Sequence, residues 1–131
     1  MSGNKAVLDS NLLIFLSKGM IDLGKLRLKY DDLYVSIISY MEVYAYHFQD
    51  LTQKDVLDES FKSLKIIDIN REVADQTIIF RKSNTKKIKL PDAVILASAK
   101  YINADLITND YNDFQNIDSS VNVLNLDDFR I

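Results

Sequence analysis

Cysteine is missing from the sequence, and histidine and proline each occur only once. The absence of cysteine excludes disulfide bonds, thiolate zinc sites and cysteine nucleophiles, and it is consistent with a reducing compartment. We therefore expect a cytoplasmic protein. With 3 glycines and 1 proline, the chain also lacks the composition of a long flexible linker or a disordered region.

Long apolar segments are missing as well. The longest apolar runs, residues 12–16 and 93–99, are much shorter than the ~20 residues that a membrane-spanning helix needs. Residues 1–5 are largely polar and do not have the pattern of a secretory signal. We expect no association with a membrane.

Size and charge limit the kind of partner that the protein can bind. A chain of 131 residues has the size of one domain, and we expect residues 1–131 to form a single domain. The formal net charge of -3 creates no overall field that attracts nucleic acid. A nucleic-acid partner would therefore have to be held by a local basic patch or by metal ions.

Strand-like apolar runs alternate with segments of helical periodicity along the chain. We predict strands over residues 6–8, 33–37, 66–69, 104–108 and 121–124. We predict helices over residues 11–17, 23–28, 37–48 and 52–64, from residue 70 onward, and over 91–102. Thr52 and Asp55 have the spacing of a capping box at the start of the fourth helix. This alternation predicts an α/β fold with a mainly parallel five-stranded sheet, covered by helices on both faces.

Acidic side chains follow two of the predicted strands. Asp9 comes directly after the first strand, where the functional crevice of an open α/β sheet lies. Taken alone, an Asp or Ser between a strand and a helix is more commonly a cap of that helix, and Asp9 or Ser10 can have this role. Asp110 and Asp113 follow the fourth strand in the same way, and they also suit turns.

Two more acids lie on predicted helices. Glu42 falls toward the apolar side of a helix whose Met41 and Tyr44 should pack inward, and a carboxylate there is costly to bury unless it is paired or metal-bound. The alternative is a boundary residue that reaches water or a lysine. Asp92 suits the first turn of an apolar helix, and it also places a negative charge at the start of that helix.

Carboxylates that gather without cationic partners repel one another unless a divalent cation lies between them. Oxygen ligands favour Mg²⁺ or Mn²⁺ over Zn²⁺, which prefers histidine and cysteine. Hard cations held by carboxylates are a common means of hydrolysing phosphodiesters. The acids therefore predict metal-dependent phosphodiester hydrolysis.

The sequence around these acids resembles the motifs of the PIN-domain ribonucleases. Residues 7–11, Val-Leu-Asp-Ser-Asn, resemble the D-x-N opening of the family, and residues 36–42 resemble its S-x-x-x-x-x-E helix start. Residues 90–93, Leu-Pro-Asp-Ala, resemble the third motif, and residues 108–110, Thr-Asn-Asp, with Phe114 complete the set. The motifs cover the chain from about residue 5 to residue 124, and the size is that of the VapC-like toxins of toxin–antitoxin pairs.

The resemblance implies a three-layer α/β/α PIN-like domain with strand order 3-2-1-4-5. It implies an acidic site in which four carboxylates bind metal and catalyse: Asp9, Glu42, Asp92 and Asp110. Asn11 and Thr108 match polar positions that orient ligands or water. Asp113 is an alternative to Asp110, because relatives differ in which of these two acids they use. Family members depend on Mg²⁺ or Mn²⁺, cleave single-stranded RNA, often form homodimers and, in toxin systems, are inhibited by a cognate antitoxin.

Five cations precede Asp92 within nine residues: Arg81, Lys82, Lys86, Lys87 and Lys89. They are sufficient to bind RNA phosphates near an acidic cleft. The alternative is a solvated helix end, where cations are favourable to the helix dipole.

Three functions remain open from the sequence. The first is a Mg²⁺- or Mn²⁺-dependent endoribonuclease, either the toxin of a toxin–antitoxin pair or an RNA-processing enzyme without an antitoxin. The second is an aspartyl-phosphate enzyme with Asp9 as nucleophile, but such enzymes place a second acid where this chain has Asn11. The third is a non-catalytic protein-binding module that keeps the fold.

Overall fold

The computed structural model describes residues 4–83 and 86–131, and strands alternate with helices along them. The strands in this part of the chain are Lys5–Leu8 (β1), Asp32–Ser36 (β2), Lys65–Ile67 (β3), Asp105–Thr108 (β4) and Val123–Asn125 (β5). The helices are Ser10–Ser17 (α1), Leu23–Lys29 (α2), Ile37–Tyr44 (α3), Leu51–Phe61 (α4), Arg71–Ser83 (α5), Leu90–Tyr101 (α6) and Tyr111–Phe114 (α7), followed by a 3-10 helix at Leu126–Phe129. None of the helices in these residues is long and apolar enough to cross a membrane.

The strands pair in parallel in one sheet of order β3-β2-β1-β4-β5, which confirms the predicted fold class and strand order. β1 lies at the centre, and Leu8 near its carboxyl end pairs with Ile107 of β4. The chain passes from β1 to β2 and β3 on one side and returns to β4 on the other. The strand order therefore reverses between β1 and β4, which is the position where open α/β sheets bind ligands.

Alternate side chains of the central strand enter two apolar layers, one on each face of the sheet. Ala6 and Leu8 pack in the layer that includes residues of α1, α2 and α4, whereas Val7 packs in the layer that includes residues of α5 and α6. This alternation follows from the two-residue period of a strand. All residues from 93 to 99 of α6 are buried, as their apolar sequence predicts. Burial on all sides fixes the middle of α6 against the sheet, so the less buried first turn that precedes it has a defined position.

Helix α3 connects these two layers. Its Val43 belongs to the layer of α1 and α4, and its Ile38 packs against the layer of α5 and α6. The helix contacts both α1 and α6. Because α3 follows β2 directly, it lies at the carboxyl edge of the sheet between the beginnings of those two helices.

Several predicted boundaries and orientations are wrong. Helix α3 ends before Phe48, and Met41 is 52% exposed where the sequence predicts that it packs inward. The start of α4 is capped by Asp50, whose carboxylate accepts a hydrogen bond from the Thr52 N–H at 2.9 Å, so the capping box predicted at Thr52 is wrong. The stretch after β4 includes the short helix α7, and β5 begins two residues later than predicted.

Candidate active site

Asp9 lies at the end of β1 and is only 4% exposed. Its backbone N–H donates to the carbonyl oxygen of Ile107 at 3.1 Å, which continues the β1–β4 pairing by one residue. One carboxylate oxygen accepts a hydrogen bond from the Ser10 N–H at 2.7 Å, and the other accepts one from the Thr108 hydroxyl at 2.7 Å. Asp9 is therefore the N-cap of α1, but capping accounts for only one of its two oxygens.

Burial raises the pKa of Asp9 to about 6, and the negative charges of Asp92 and Asp110 act in the same direction. The hydrogen bonds from Thr108 and Ser10 oppose this shift because they stabilise the ionised form. Asp9 is thus held at the centre of the sheet as a desolvated acid among other acids.

Thr108 links Asp9 to Asp110. The Thr108 side chain is fully buried, and its hydroxyl donates to Asp9 and accepts the Asp110 N–H at 2.9 Å. The side-chain amide of Asn11 donates to Asp110 Oδ2 at 3.2 Å. Asn11 and Thr108, both singled out from the sequence, therefore contact two of the predicted acids directly.

Glu42 is exposed on α3, so the prediction that it faces the apolar side of the helix is wrong. The Ser10 hydroxyl donates to Glu42 Oε1 at 2.6 Å, across the contact between α1 and α3. The charge of Glu42 also raises the pKa of Asp92, so the two carboxylates lie within range of each other's charge. The position of Glu42 depends on this polar contact and not on burial.

Asp92 lies in the first turn of α6, directly after Pro91. Its pKa is raised to about 6, mainly by burial and further by the negative charges of Asp113, Asp110 and Glu42. Two acids that the sequence separates by many residues, Asp9 and Asp92, therefore have raised pKa values for the same reasons.

The two alternatives for the fourth acid both lie in the site. Asp110 is hydrogen-bonded to Asn11, and its charge raises the pKa of Asp9. Asp113 lines a crevice of about 140 Å³ together with Asp92. The structure thus brings five carboxylates to one edge of the sheet: Asp9, Glu42, Asp92, Asp110 and Asp113.

The donor chemistry of this edge suits a hard divalent cation. Among residues 4–83 and 86–131, no ion pair involves any of the five acids. Their ligand atoms are all oxygens, which Mg²⁺ and Mn²⁺ prefer. In the same residues, no group of three or more acidic or histidine side chains is arranged as a ligand sphere.

Four of the five predicted basic residues form two pairs, and the fifth, Lys86, lies between them outside any helix or strand. All five are exposed, and Lys87 and Lys89 line the crevice that also contains Asp92 and Asp113. Arg81 and Lys82 lie in the last turn of α5, where cations are favourable to the helix dipole. The Arg81 side chain also donates from Nε to the carbonyl oxygen of Ile88 at 3.4 Å, which ties the end of α5 to the segment before α6.

Sequence reasoning missed two residues of the site. Ser39 is fully buried on α3, with its Oγ 2.9 Å from the Ser10 Oγ. Its position three residues before Glu42 places both on one helix face, and this spacing could have indicated it. The second is Asn109, whose Oδ1 is buried and has no hydrogen-bond partner in the part of the chain that the structure describes. No sequence signal distinguishes Asn109 from an ordinary turn residue.

We expect the D9N variant to become more stable relative to the wild-type protein as the pH rises. The pKa of Asp9 is about 6 in the folded protein, against the ordinary value of 3.8, so the folded state binds the proton more tightly and loses stability as the pH rises through this interval. The free energy of unfolding of D9N minus that of the wild type should therefore increase by about 2 kcal/mol between about pH 4 and about pH 7.5.

The measurement is urea unfolding of both proteins in EDTA across this pH range. The D55N variant, which removes an exposed carboxylate from α4, controls for the loss of one negative charge. A difference between D9N and wild type that stays constant with pH would show that Asp9 is not a desolvated acid.

Comparison with known proteins identifies the family. The family model of the PIN domain matches residues 6–120, which is most of the chain. A chain in a toxin–antitoxin complex from Klebsiella pneumoniae is similar in structure, with a TM-score of 0.69 and 29% sequence identity, and the match covers 88% of this chain and 94% of that one. Comparison with curated protein sequences finds no match.

Two further solved structures share the fold. VapBC2 from Rickettsia felis, bound to a DNA fragment from its promoter, matches with a TM-score of 0.81 and 22% identity over 94% of this chain and 99% of that one. DNA-bound VapBC from Salmonella typhimurium matches with a TM-score of 0.77 and 21% identity over 94% of this chain and 98% of that one. With four motifs in order, the expected strand order and a matching family model, the chain belongs to the PIN-domain family, whose members are nucleases.

Proposed function

We propose that this protein is an endoribonuclease that depends on Mg²⁺ or Mn²⁺ and acts as the toxin of a toxin–antitoxin pair. One observation carries the proposal. Carboxylates from four separate segments of the chain face one edge of the sheet, and none of them is paired with a cation in the described residues. An arrangement of this kind is costly for a stable fold and useful for binding a divalent cation.

The residues that would hold the cation are Asp9, Glu42, Asp92 and Asp110, with Asp113 as the alternative to Asp110. A bound Mg²⁺ or Mn²⁺ would polarise the scissile phosphate and lower the pKa of a water molecule. The chain itself orients the acids, since Thr108 and the Ser10 N–H hold both oxygens of Asp9. Because the pKa values of Asp9 and Asp92 are raised to about 6, cation binding would compete with protons in slightly acidic solution.

A nucleic-acid substrate is supported by the lysines beside the acids. Lys87 and Lys89 line the same crevice as Asp92 and Asp113, so a phosphodiester chain bound by these lysines would pass next to two of the carboxylates. Lysine binds phosphate as a point charge and gives affinity without base specificity. We propose that these lysines place the backbone of a single-stranded RNA at the acidic edge.

Protein partners form part of the proposal. The similar chain from Klebsiella pneumoniae belongs to a toxin–antitoxin complex, and 94% of its length is covered here. We propose a cognate antitoxin as the partner, a homodimeric state and a cytoplasmic location. Met41 on α3 and Ile78 on α5 are each about half-exposed, which offers apolar contacts for such partners.

An aspartyl-phosphate enzyme fits the site less well. Both oxygens of Asp9 accept hydrogen bonds and the residue is almost fully buried, which disfavours its use as a nucleophile. Asn11 occupies the position of the second acid of such enzymes, and its amide donates to Asp110.

We expect purified protein to cleave single-stranded RNA in Mg²⁺ or Mn²⁺ and to lose this activity in EDTA. The D9N and D92N variants should each cleave at least about 100-fold more slowly, because losing a ligand costs at least as much as losing a residue that supports a ligand, which lowers affinity or activity about 10- to 100-fold. The measurement is the initial rate of cleavage of an end-labelled RNA, with a DNA of the same sequence in parallel and D55N as the matched control.

Equal cleavage by wild type, D9N and D92N would contradict the assignment, as would cleavage that persists in EDTA. Induced expression separates the two kinds of ribonuclease. A toxin should arrest growth in the wild-type form and not as D9N, whereas an RNA-processing enzyme without an antitoxin should leave growth unchanged.

The lysines beside the crevice give a second prediction. The K87Q/K89Q double variant should raise the KM for RNA about three- to tenfold, and the slope of log affinity against log salt should become shallower by about 0.7 for each phosphate that is no longer neutralised. The matched control is K54Q/K62Q, which removes two lysines from exposed ion pairs on α4 and the same total charge. If both double variants change the KM equally, the effect comes from net charge and the crevice lysines do not bind RNA.

A further inference from the structure

Ser10 has two side-chain contacts that its place in the helix does not require. It is the first residue of α1, and Asp9 already serves as the N-cap of that helix. The Ser10 Oγ lies 2.6 Å from Glu42 Oε1 and 2.9 Å from Ser39 Oγ, and both of these residues belong to α3. The Ser10 hydroxyl therefore connects α1 to α3, away from the backbone of its own helix.

The direction of these hydrogen bonds follows from the number of protons. A serine hydroxyl has one proton to donate, and an ionised carboxylate can only accept. Ser10 must therefore donate its proton to Glu42, and its oxygen must accept the proton of Ser39. The order is Ser39 to Ser10 to Glu42, and the 2.6 Å distance to the carboxylate is that of a charge-assisted bond.

Ser39 differs from other buried hydroxyls in the helices. Four of these donate to a carbonyl oxygen one turn earlier in their own helix: Ser17 to Ile14, Ser60 to Val56, Thr77 to Val73 and Ser98 to Val94. Such bonding back to the helix is the usual solution for a buried serine or threonine. Ser39 is fully buried, and its hydroxyl meets the Ser10 hydroxyl on a neighbouring helix. The Ser39 hydroxyl therefore donates toward the acidic site and not to its own helix.

Glu42 needs such a restraint because its surroundings oppose its position. It is an exposed, flexible side chain, and its charge and that of Asp92 repel each other across the site. An unrestrained glutamate would turn toward water, where it gains rotamer entropy and avoids the repulsion. The bond from Ser10 holds Glu42 Oε1 at the edge of the sheet.

We propose that Ser10 and Ser39 form a pair of positioning residues that hold Glu42 in place for cation binding. The inference rests on the proposed function, because it gives Glu42 the role of a ligand. Ser10 acts through Glu42 and contacts no reacting atom, and Ser39 acts through Ser10. All three residues of the Asp9-Ser10-Asn11 segment then have a role at the site, and that of Ser10 is to position Glu42.

The test is calorimetric titration of Mn²⁺ into the purified chain at about pH 7.5, where Asp9 and Asp92 are largely ionised. S10A should bind Mn²⁺ about tenfold more weakly than the wild type, the scale of one hydrogen bond to a charged group. S10T keeps the hydroxyl and should restore most of the affinity. S39A should have a smaller effect in the same direction, because Ser10 can still donate to Glu42.

Two controls separate positioning from a general structural effect. S17A removes a buried hydroxyl from the same helix, but this hydroxyl donates to the Ile14 carbonyl oxygen and not to an acid. S17A should therefore leave the Mn²⁺ affinity unchanged. In the E42Q background, S10A should cause no further loss, since the two residues act as one unit.

Each outcome supports or overturns a specific statement. If the wild type binds Mn²⁺ and cleaves RNA but S10A binds equally well, or if S10A adds its full effect to E42Q, the positioning pair is wrong and the proposed function stands. If S10T fails to restore binding, the hydroxyl is not the active feature and the inference is overturned. If the wild type binds no Mn²⁺, the proposed function fails and this inference fails with it.

Discussion

The repulsion among buried and half-buried carboxylates is the constraint on which the rest of this structure depends. Asp9 is almost inaccessible to water, and its pKa and that of Asp92 are both raised by burial and by neighbouring negative charges. A fold optimised only for stability would separate such groups or pair them with lysines. In the described residues, neutral donors instead hydrogen-bond to three of the acids, Asp9, Glu42 and Asp110, which leaves their negative charge in place for a cation.

The topology explains why the acids meet. The reversal of strand order between β1 and β4 leaves a crevice at the carboxyl edge of the sheet, where Asp9 directly follows β1 and Thr108 ends β4. Thr108 bonds across this crevice to Asp9, and α3 and α6 bring Glu42 and Asp92 to the same edge. The apolar layers on both faces hold the helices in position. They do not fix the acidic side chains at the sheet edge, whose positions depend on local polar contacts.

Much of this arrangement could be predicted from the sequence because it depends on strand ends. An acid after a buried strand must lie at the carboxyl edge, so the local pattern predicts Asp9 and either Asp110 or Asp113 as candidates for that edge. Glu42 was identified for a reason that is wrong, since it is exposed and held by Ser10. Such a contact joins residues on two helices, and no local pattern indicates which serine meets which carboxylate.

Other wrong or undecided predictions also concern contacts that the local sequence does not determine. Asp50 and Thr52 are both good capping residues two positions apart, and the choice between them depends on how the chain enters α4. Asp110 and Asp113 also suit the same turn, and only the three-dimensional structure reveals that one lies near Asp9 and the other near Asp92. The local sequence therefore predicts where a polar cluster occurs. It does not determine which residue of the cluster makes a given contact.

The central claim is that this acidic edge binds a divalent cation through carboxylates from separate segments of the chain. The most direct test is a crystal structure of the protein in Mn²⁺ with an anomalous difference map. The account predicts a peak at bonding distance from Asp9 and from at least one of Asp92, Asp110 and Asp113. The claim would be contradicted if the map at saturating Mn²⁺ showed no anomalous peak at the acidic edge, or a peak only elsewhere on the protein.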